Sequence, residues 1–267
     1  MDLEETFFSS LEGSSCSNDI ILDDLNSSLN TIINSIKADT KEFPSIELLE
    51  QIKNCLECLS SSSPLELSSQ RLRFVSISWP ADLRVVIQRI FRTFKIPEEY
   101  TCLCYELCNF SAKCLGNEWL KSDLQFLKLL ASLSSGRLKV ILDEPDKVNI
   151  NQLIACIQLQ EFFIGCVEDV DEWLCDEDAT FLSKNCQESC TFICEYVIEC
   201  EKQFINFSNY SNLFLILCQY FYAFLEIGGE QILDSNLLNK VLPLFKKISG
   251  GRSLEEEEEE EEGKIKR

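Results

Sequence analysis

"CQESCTFICEYVIEC", residues 186–200, places four cysteines in fifteen residues. Cysteine at this density marks a metal cradle, a redox device or an apolar helical stripe, and the choice decides the fold. On a helix with Cys186 set at 0°, Cys190 falls at about 40°, Cys194 at about 80° and Cys200 at about 320°. Ile193 and Val197 share that arc, while Glu188, Glu195 and Glu199 lie on the far side. The spacing therefore predicts an amphipathic helix with cysteines in its buried stripe. A common zinc site fails on reach. Sulfurs on one zinc sit about 4 Å apart, whereas Cys186 and Cys200 are separated by about 21 Å of helical rise. At most one adjacent pair could share an ion. Two further pairs, Cys55-x2-Cys58 and Cys102-x-Cys104, lie within or beside helical stripes and lack a matching partner pair. Unpaired cysteine is among the most buried residue types, so these side chains read as core.

The whole chain has 267 residues, 15 cysteines and no histidine. Without histidine, Ser-His and Cys-His nucleophiles are excluded. Paired carboxylates are frequent (Asp143-Glu144, Glu168-Asp169, Asp171-Glu172, Asp176–Asp178), but mostly at helix ends and in loops. There they complement helix dipoles and keep a surface solvated. They leave a carboxylate-only hydrolase as the one catalytic alternative. No P-loop and no GxGxxG occurs. The sequence thus points to a non-enzymatic protein without cofactor or metal.

Stripes of helical period recur along the chain. Ile21, Leu22, Leu25, Leu29, Ile32, Ile33 and Ile36 form one, and Ile46, Leu49, Ile52, Leu56 and Leu59 another, opened by Pro44-Ser45. Others fall at about 81–95, 97–114, 121–142, 149–169, 178–204, 209–227 and 235–248. Pro97, Gly116-Asn117, Pro145, Asp176–Asp178, Asn206–Asn209 and Gly228-Gly229 punctuate them. Only "RFVSISW", Arg73–Trp79, reads as a strand, stopped by Pro80. No βαβ unit is predicted. The expectation is an all-α armadillo/HEAT-like solenoid of stacked helix pairs. It has a loose N-terminus over 1–18, a helical-repeat domain over 19–249 and a disordered acidic tail over 250–267.

Charge narrows the partners. The net charge is −21, and 45% of residues are apolar. Nucleic-acid binding by the chain as a whole is disfavoured, because phosphates would repel it. The N-terminal "MDLEETFFSSLEGSS" lacks the basic region of a signal peptide. The apolar run Leu213–Leu225 is too short to span a bilayer. The chain therefore reads as cytoplasmic, with reduced cysteines. One stretch inverts the charge. Between Leu67 and Pro97, Arg71, Arg73, Arg84, Arg89, Arg92 and Lys95 face a single acid, Asp82. In "DLRVVIQRIFRTFK", Leu83, Val86, Ile87, Ile90, Phe91 and Phe94 form the apolar stripe. Arg84, Arg92 and Lys95 are placed opposite, with Arg89 at the margin. This face reads either as a solvated surface or as a candidate protein-binding site for an acidic or phosphorylated segment, Glu255–Glu262 of the same chain included.

From Asp82 to about 248 the order of features resembles the neurochondrin family. The stretches that carry the resemblance are "DLRVVIQRIF", "SAKCLGNEWL", "FLKLLASLSSGRLKVILDE", "ACIQLQEFFIGCVED", "SCTFICEYV", "LFLILCQYFYAFLEIGGE" and "VLPLF". Gly116–Trp119, Arg137–Glu144 and Ala155–Val167, in that order, agree best. The resemblance implies an armadillo-like helical repeat scaffold of the cytoplasm without catalysis. Its implied partners are receptor cytoplasmic tails and kinase signalling components. Its implied roles are support of neurite outgrowth and restraint of calcium/calmodulin-dependent kinase II signalling. The chain departs from the family in being shorter, and its first cysteine, Cys16, sits in an acidic, Ser-rich stretch, which argues against a lipid anchor. Two other readings stay open: a generic HEAT-like adaptor in transport or chromatin assembly, and a cysteine-dependent metal or redox protein. Deletion of residues 250–267 is expected to leave the melting temperature nearly unchanged, because mutually repelling glutamates bury no apolar surface. A calorimetric drop of many degrees would show that the tail docks.

Overall fold

The computed structural model describes residues 18–38, 43–60, 78–143, 149–169, 173–203 and 211–250. Over these residues the chain is helical, with α1 (Asn18–Ala38), α2 (Ile46–Ser60), α3 (Trp79–Phe91), α4 (Glu98–Leu115), α5 (Glu118–Lys121), α6 (Leu124–Asp143), α7 (Ile150–Glu168), α8 (Asp176–Lys202), α9 (Ser211–Glu226) and α10 (Ser235–Gly250). A short 3-10 turn spans Gly229–Gln231. No strand occurs among the described residues. Most of the expected strand at Arg73–Trp79 lies outside them. Its last residue, Trp79, opens α3, with Pro80 in the first turn. Proline there starts a helix rather than ending a strand, since its missing N–H is one that a first turn leaves unbonded in any case. Residues 1–17 and 251–267 also lie outside the description. α10 runs to Gly250, one residue into the segment assigned to the tail.

The chain divides into two compact units, Met1–Tyr100 and Thr101–Arg267. In the first, α1 packs against both α2 and α3. Leu25, Leu29, Ile33 and Ile36 of α1 meet a core made with Leu49, Ile52, Leu56 and Leu59 of α2 and Trp79, Leu83, Val86, Ile87 and Ile90 of α3, all buried. The i, i+3/i+4 spacing of each set makes the stripe. The Trp79 indole N–H donates to Asn26 Oδ1 at 3.0 Å, which satisfies two buried polar groups at once. Lys37 pairs with Asp82 at 2.6 Å.

In the second unit the helices alternate between two layers. α7 and α9 occupy one, and α6, α8 and α10 the other. α7 packs on α9 within its layer, and α6 on α8 and α8 on α10 within theirs. Across the layers α6 meets α7, α7 meets α8, α8 meets α9 and α9 meets α10. α4 joins through hydrogen bonds. The Tyr105 hydroxyl donates to Leu133 O at 2.9 Å on α6, and Asn109 Nδ2 to Gln158 Oε1 at 2.6 Å on α7. α7 is long and apolar enough to cross a membrane by length and composition. Its burial between α6, α8 and α9 accounts for that character: Leu153, Cys156, Leu159 and Phe163 are fully covered.

A polar cluster sits inside this apolar stack. Gln160 Nε2 of α7 donates to Ser134 Oγ of α6 at 2.8 Å. Ser189 Oγ of α8 lies 2.9 Å from Ser135 Oγ and 3.2 Å from Gln160 Oε1. None of the four residues is more than 3% exposed. A hydroxyl both donates and accepts, and Ser134 Oγ, accepting from Gln160, donates in turn to Ala131 O at 3.1 Å, which ties the cluster to the α6 backbone.

Helix ends follow local chemistry. Asn149 caps α7 by accepting from Gln152 N at 3.2 Å. Asp176–Asp178, expected as a break, instead forms the first turn of α8. Three acids there complement the helix dipole. Gly116 and Gly228 supply left-handed turns, with φ of 63° and 83°. Gly229 is fixed by contact: a Cβ would come within 2.4 Å of both the Phe224 ring and the Phe224 carbonyl oxygen. Gly229→Ala is expected to destabilise the second unit by about 1–3 kcal/mol through overpacking against backbone. Chemical denaturation should show it as a lower midpoint with an unchanged slope.

Candidate protein-binding surfaces

The cysteine stripe is buried as the helix geometry requires: Cys186, Cys190, Cys194 and Cys200 of α8 are at most 4% exposed, together with Ile193 and Val197. Their glutamate counterparts Glu188, Glu195 and Glu199 are exposed. Burial pushes the Cys186 and Cys104 thiols up to about 12, and Cys166 likewise, with Asp169 adding to the effect there. Cys190 is raised further by a hydrogen bond with Cys194 and by burial. The thiolate is the nucleophile and the metal ligand, so thiols held protonated are poor at both. Among the described residues no group of three or more His, Cys, Asp or Glu side chains is arranged to hold a metal ion.

The four basic residues of the candidate site belong to the first unit and do not form one uniform face. Arg84, expected opposite the apolar stripe, is only 9% exposed. It stands about 60° around the helix from Ile87, at the stripe's edge, and is covered with it. Phe94, expected inside the stripe, is 85% exposed. The helix stops at Phe91, Arg92 caps it through N–H bonds to Gln88 O and Ile90 O, and the helical period no longer applies at Phe94. Lys95 follows with φ of 62°, and its ammonium lies 5.5 Å from the Phe94 ring centroid. A β-carbon in the left-handed region carries a cost of about 1–3 kcal/mol. The outward face of α3 is therefore Val85, which is 59% exposed, with Arg89 and Arg92. Arg89 is half-buried, and its Nε and Nη2 are buried without a hydrogen-bond partner. Leaving such donors unsatisfied costs about 1–3 kcal/mol. Sequence reasoning missed Val85 and Phe94, because the signal was the position of the helix end rather than the apolar period.

The second unit carries an open groove of about 770 Å³ between α8 and α10. The two helices run in the same direction. Gln187 Nε2 donates to Ile232 O at 2.9 Å at one end, and Lys247 Nζ stands 3.6 Å from Glu201 Oε1 at the other. Phe192, Tyr196, Ile198 and Leu237 supply apolar lining, and Glu195, Glu199, Lys202, Asp234 and Lys240 the charges. The walls are set by neighbours. Tyr196 stacks on Phe214 of α9, with centroids 6.3 Å apart. Asp234 caps α10 by accepting from Asn236 N and Leu237 N at 2.9 and 3.0 Å. No sequence expectation singled out this groove, because its two walls come from helices separated in the chain by all of α9.

No family model, no curated protein and no solved structure matches the chain. Function is therefore argued from these surfaces. A maleimide probe, read by mass spectrometry in the native state, is expected to label the exposed Cys58 and Cys175 first. Cys104, Cys108, Cys186 and Cys190 should react only on unfolding. Rapid native labelling of that buried set, or stoichiometric zinc in the purified protein, would overturn their assignment to the core.

Proposed function

We propose that the chain is a non-enzymatic cytoplasmic adaptor whose armadillo/HEAT-like helix pairs present surfaces to protein segments. The observation that carries this reading is the packing order of the second unit, in which each helix from α6 to α8 touches the next and the next but one. Stacked helix pairs pack in that order, burying a continuous core between layers while leaving side faces open along their length. The resemblance to the neurochondrin family supports the same reading. It makes receptor cytoplasmic tails and kinase signalling components the first partners to test, with support of neurite outgrowth and restraint of calcium/calmodulin-dependent kinase II signalling as the cellular outcome. The basic stretch Arg84, Arg89, Arg92 and Lys95 and the groove between α8 and α10 are its two candidate binding surfaces.

The groove suits an extended segment that inserts apolar side chains between Phe192 and Leu237. Both residues are half-buried, so the cleft is formed before anything enters it. A preformed site loses little freedom on binding. The test is a defined panel of receptor-tail peptides, titrated by fluorescence polarisation against the parent chain and against Phe192→Asp and Leu237→Asp. Loss of binding of about tenfold or more in both variants, with helicity retained, is the expected result, since each puts a charge into an apolar contact. Equal binding by parent and variants would remove the groove from the account. Histones or importins captured in place of receptor tails would redirect the reading to an adaptor in transport or chromatin assembly.

A further inference from the structure

We propose that the outward face of α3 and the turn behind it, comprising Val85, Arg89, Arg92, Phe94 and Lys95, docks an acidic peptide segment that also carries an apolar side chain. The proposal names a partner chemistry for the basic stretch and stands apart from the groove, which belongs to the other unit.

Three observations converge. The first is the Arg89 guanidinium, whose Nε and Nη2 lack any acceptor. Those two nitrogens form one edge of the fork and are closed to solvent, so a carboxylate can bridge them with both oxygens only once the side chain turns outward. Arg89 is half-buried as a residue, and its long stem lets that edge swing towards an incoming group. The second is charge. Arg92 and Lys95 are exposed beside it, and the only acid of α3, Asp82, is engaged by Lys37 at 2.6 Å. A net-acidic chain that keeps these cations together has a local field of the opposite sign to its surroundings. The third is apolar. Phe94 is 85% exposed and Val85 59%. Val85 and Arg89 lie one turn apart on the same face, and the Thr93 hydroxyl donates to Arg89 O at 2.9 Å, which ties the turn carrying Phe94 to the helix end. Large aromatic side chains beside arginine are the residue types that dominate binding hot spots.

A peptide fits better than an anionic membrane surface. The chain's net charge of −21 repels a lipid surface as a whole. A single peptide meets only the local cations, over a screening distance of about 8 Å. The paired donors of Arg89 also recognise one planar group rather than a smeared charge.

The experiment is a fluorescence titration of the full chain with a short synthetic peptide in which glutamates flank leucines. Its controls carry lysines for the glutamates, or serines for the leucines. The proposal expects the Glu/Leu peptide to bind with clear salt dependence and both controls to bind more weakly. It expects Arg89→Gln with Arg92→Glu to lose binding on the order of tenfold or more. Phe94→Ser should weaken binding severalfold without altering far-UV circular dichroism, because that side chain is out in solvent. Arg89→Lys should not restore full affinity, since an ammonium has no fork. Groove variants Phe192→Asp and Leu237→Asp should bind this peptide normally, which separates failure here from failure of the groove. Equal affinity of the parent, the Arg89→Gln/Arg92→Glu double variant and Phe94→Ser for the peptide would overturn the proposal. So would equal binding of the lysine peptide, or preferential binding to phosphatidylserine vesicles that the same substitutions abolish. Binding seen only after deletion of residues 251–267 would mean that the chain's own glutamates hold the face, and would replace the partner by an internal segment.

Discussion

Four buried polar side chains hold the second unit in one arrangement. Ser134 and Ser135 of α6, Gln160 of α7 and Ser189 of α8 meet where water does not reach. Apolar helix faces built from leucine, cysteine and phenylalanine tolerate sliding by a turn, since one methyl group resembles another. An amide and three hydroxyls do not, because a shift of one turn leaves buried donors and acceptors without partners. The cluster therefore sets the register of α6, α7 and α8. The positions of α9 and α10 depend on α8, and the groove between α8 and α10 depends on both.

Cysteine suits the surrounding core for a related reason. Its side chain is small, so α8 carries Cys186, Cys190 and Cys194 along a stripe that faces other helices closely. The Tyr220 hydroxyl reaches Cys186 O at 3.1 Å, which joins α9 to α8 across that stripe. Burial and the hydrogen bond between Cys190 and Cys194 hold the Cys186 and Cys190 thiols protonated and lower their reactivity. Chemistry at sulfur is thus suppressed by the same packing that makes the sulfurs useful as small apolar groups.

The two candidate surfaces arise where regular structure stops or where two helices of one layer part. On α3 the helix ends one turn before its apolar pattern does, and Phe94 is left outside with Arg92 and Lys95. Between α8 and α10 the capping of α10 by Asp234 begins a wall opposite Phe192 and Glu195. Each surface combines apolar side chains with charged ones.

The sequence by itself determined the helical class and most of the helix limits. Apolar residues at intervals of three and four are visible without neighbours, as in Leu49, Ile52, Leu56 and Leu59, and so are the breaks at Pro97, Gly116 and Gly228. It also placed the α8 cysteines in the core, since helical angle alone puts them with Ile193 and Val197. Local pattern could not say that Trp79 and Pro80 begin a helix, that Arg84 is covered while Val85 is not, or that Phe94 escapes the stripe. Those outcomes depend on where a helix ends and on what lies beside it. The pairing of Ser189 with Ser135, 54 residues away, and the groove shared by Phe192 and Leu237 were decided only by the tertiary structure. A hydrogen bond or a cleft between distant segments exists only once packing has brought them together, and no periodicity along the chain encodes which segments those will be.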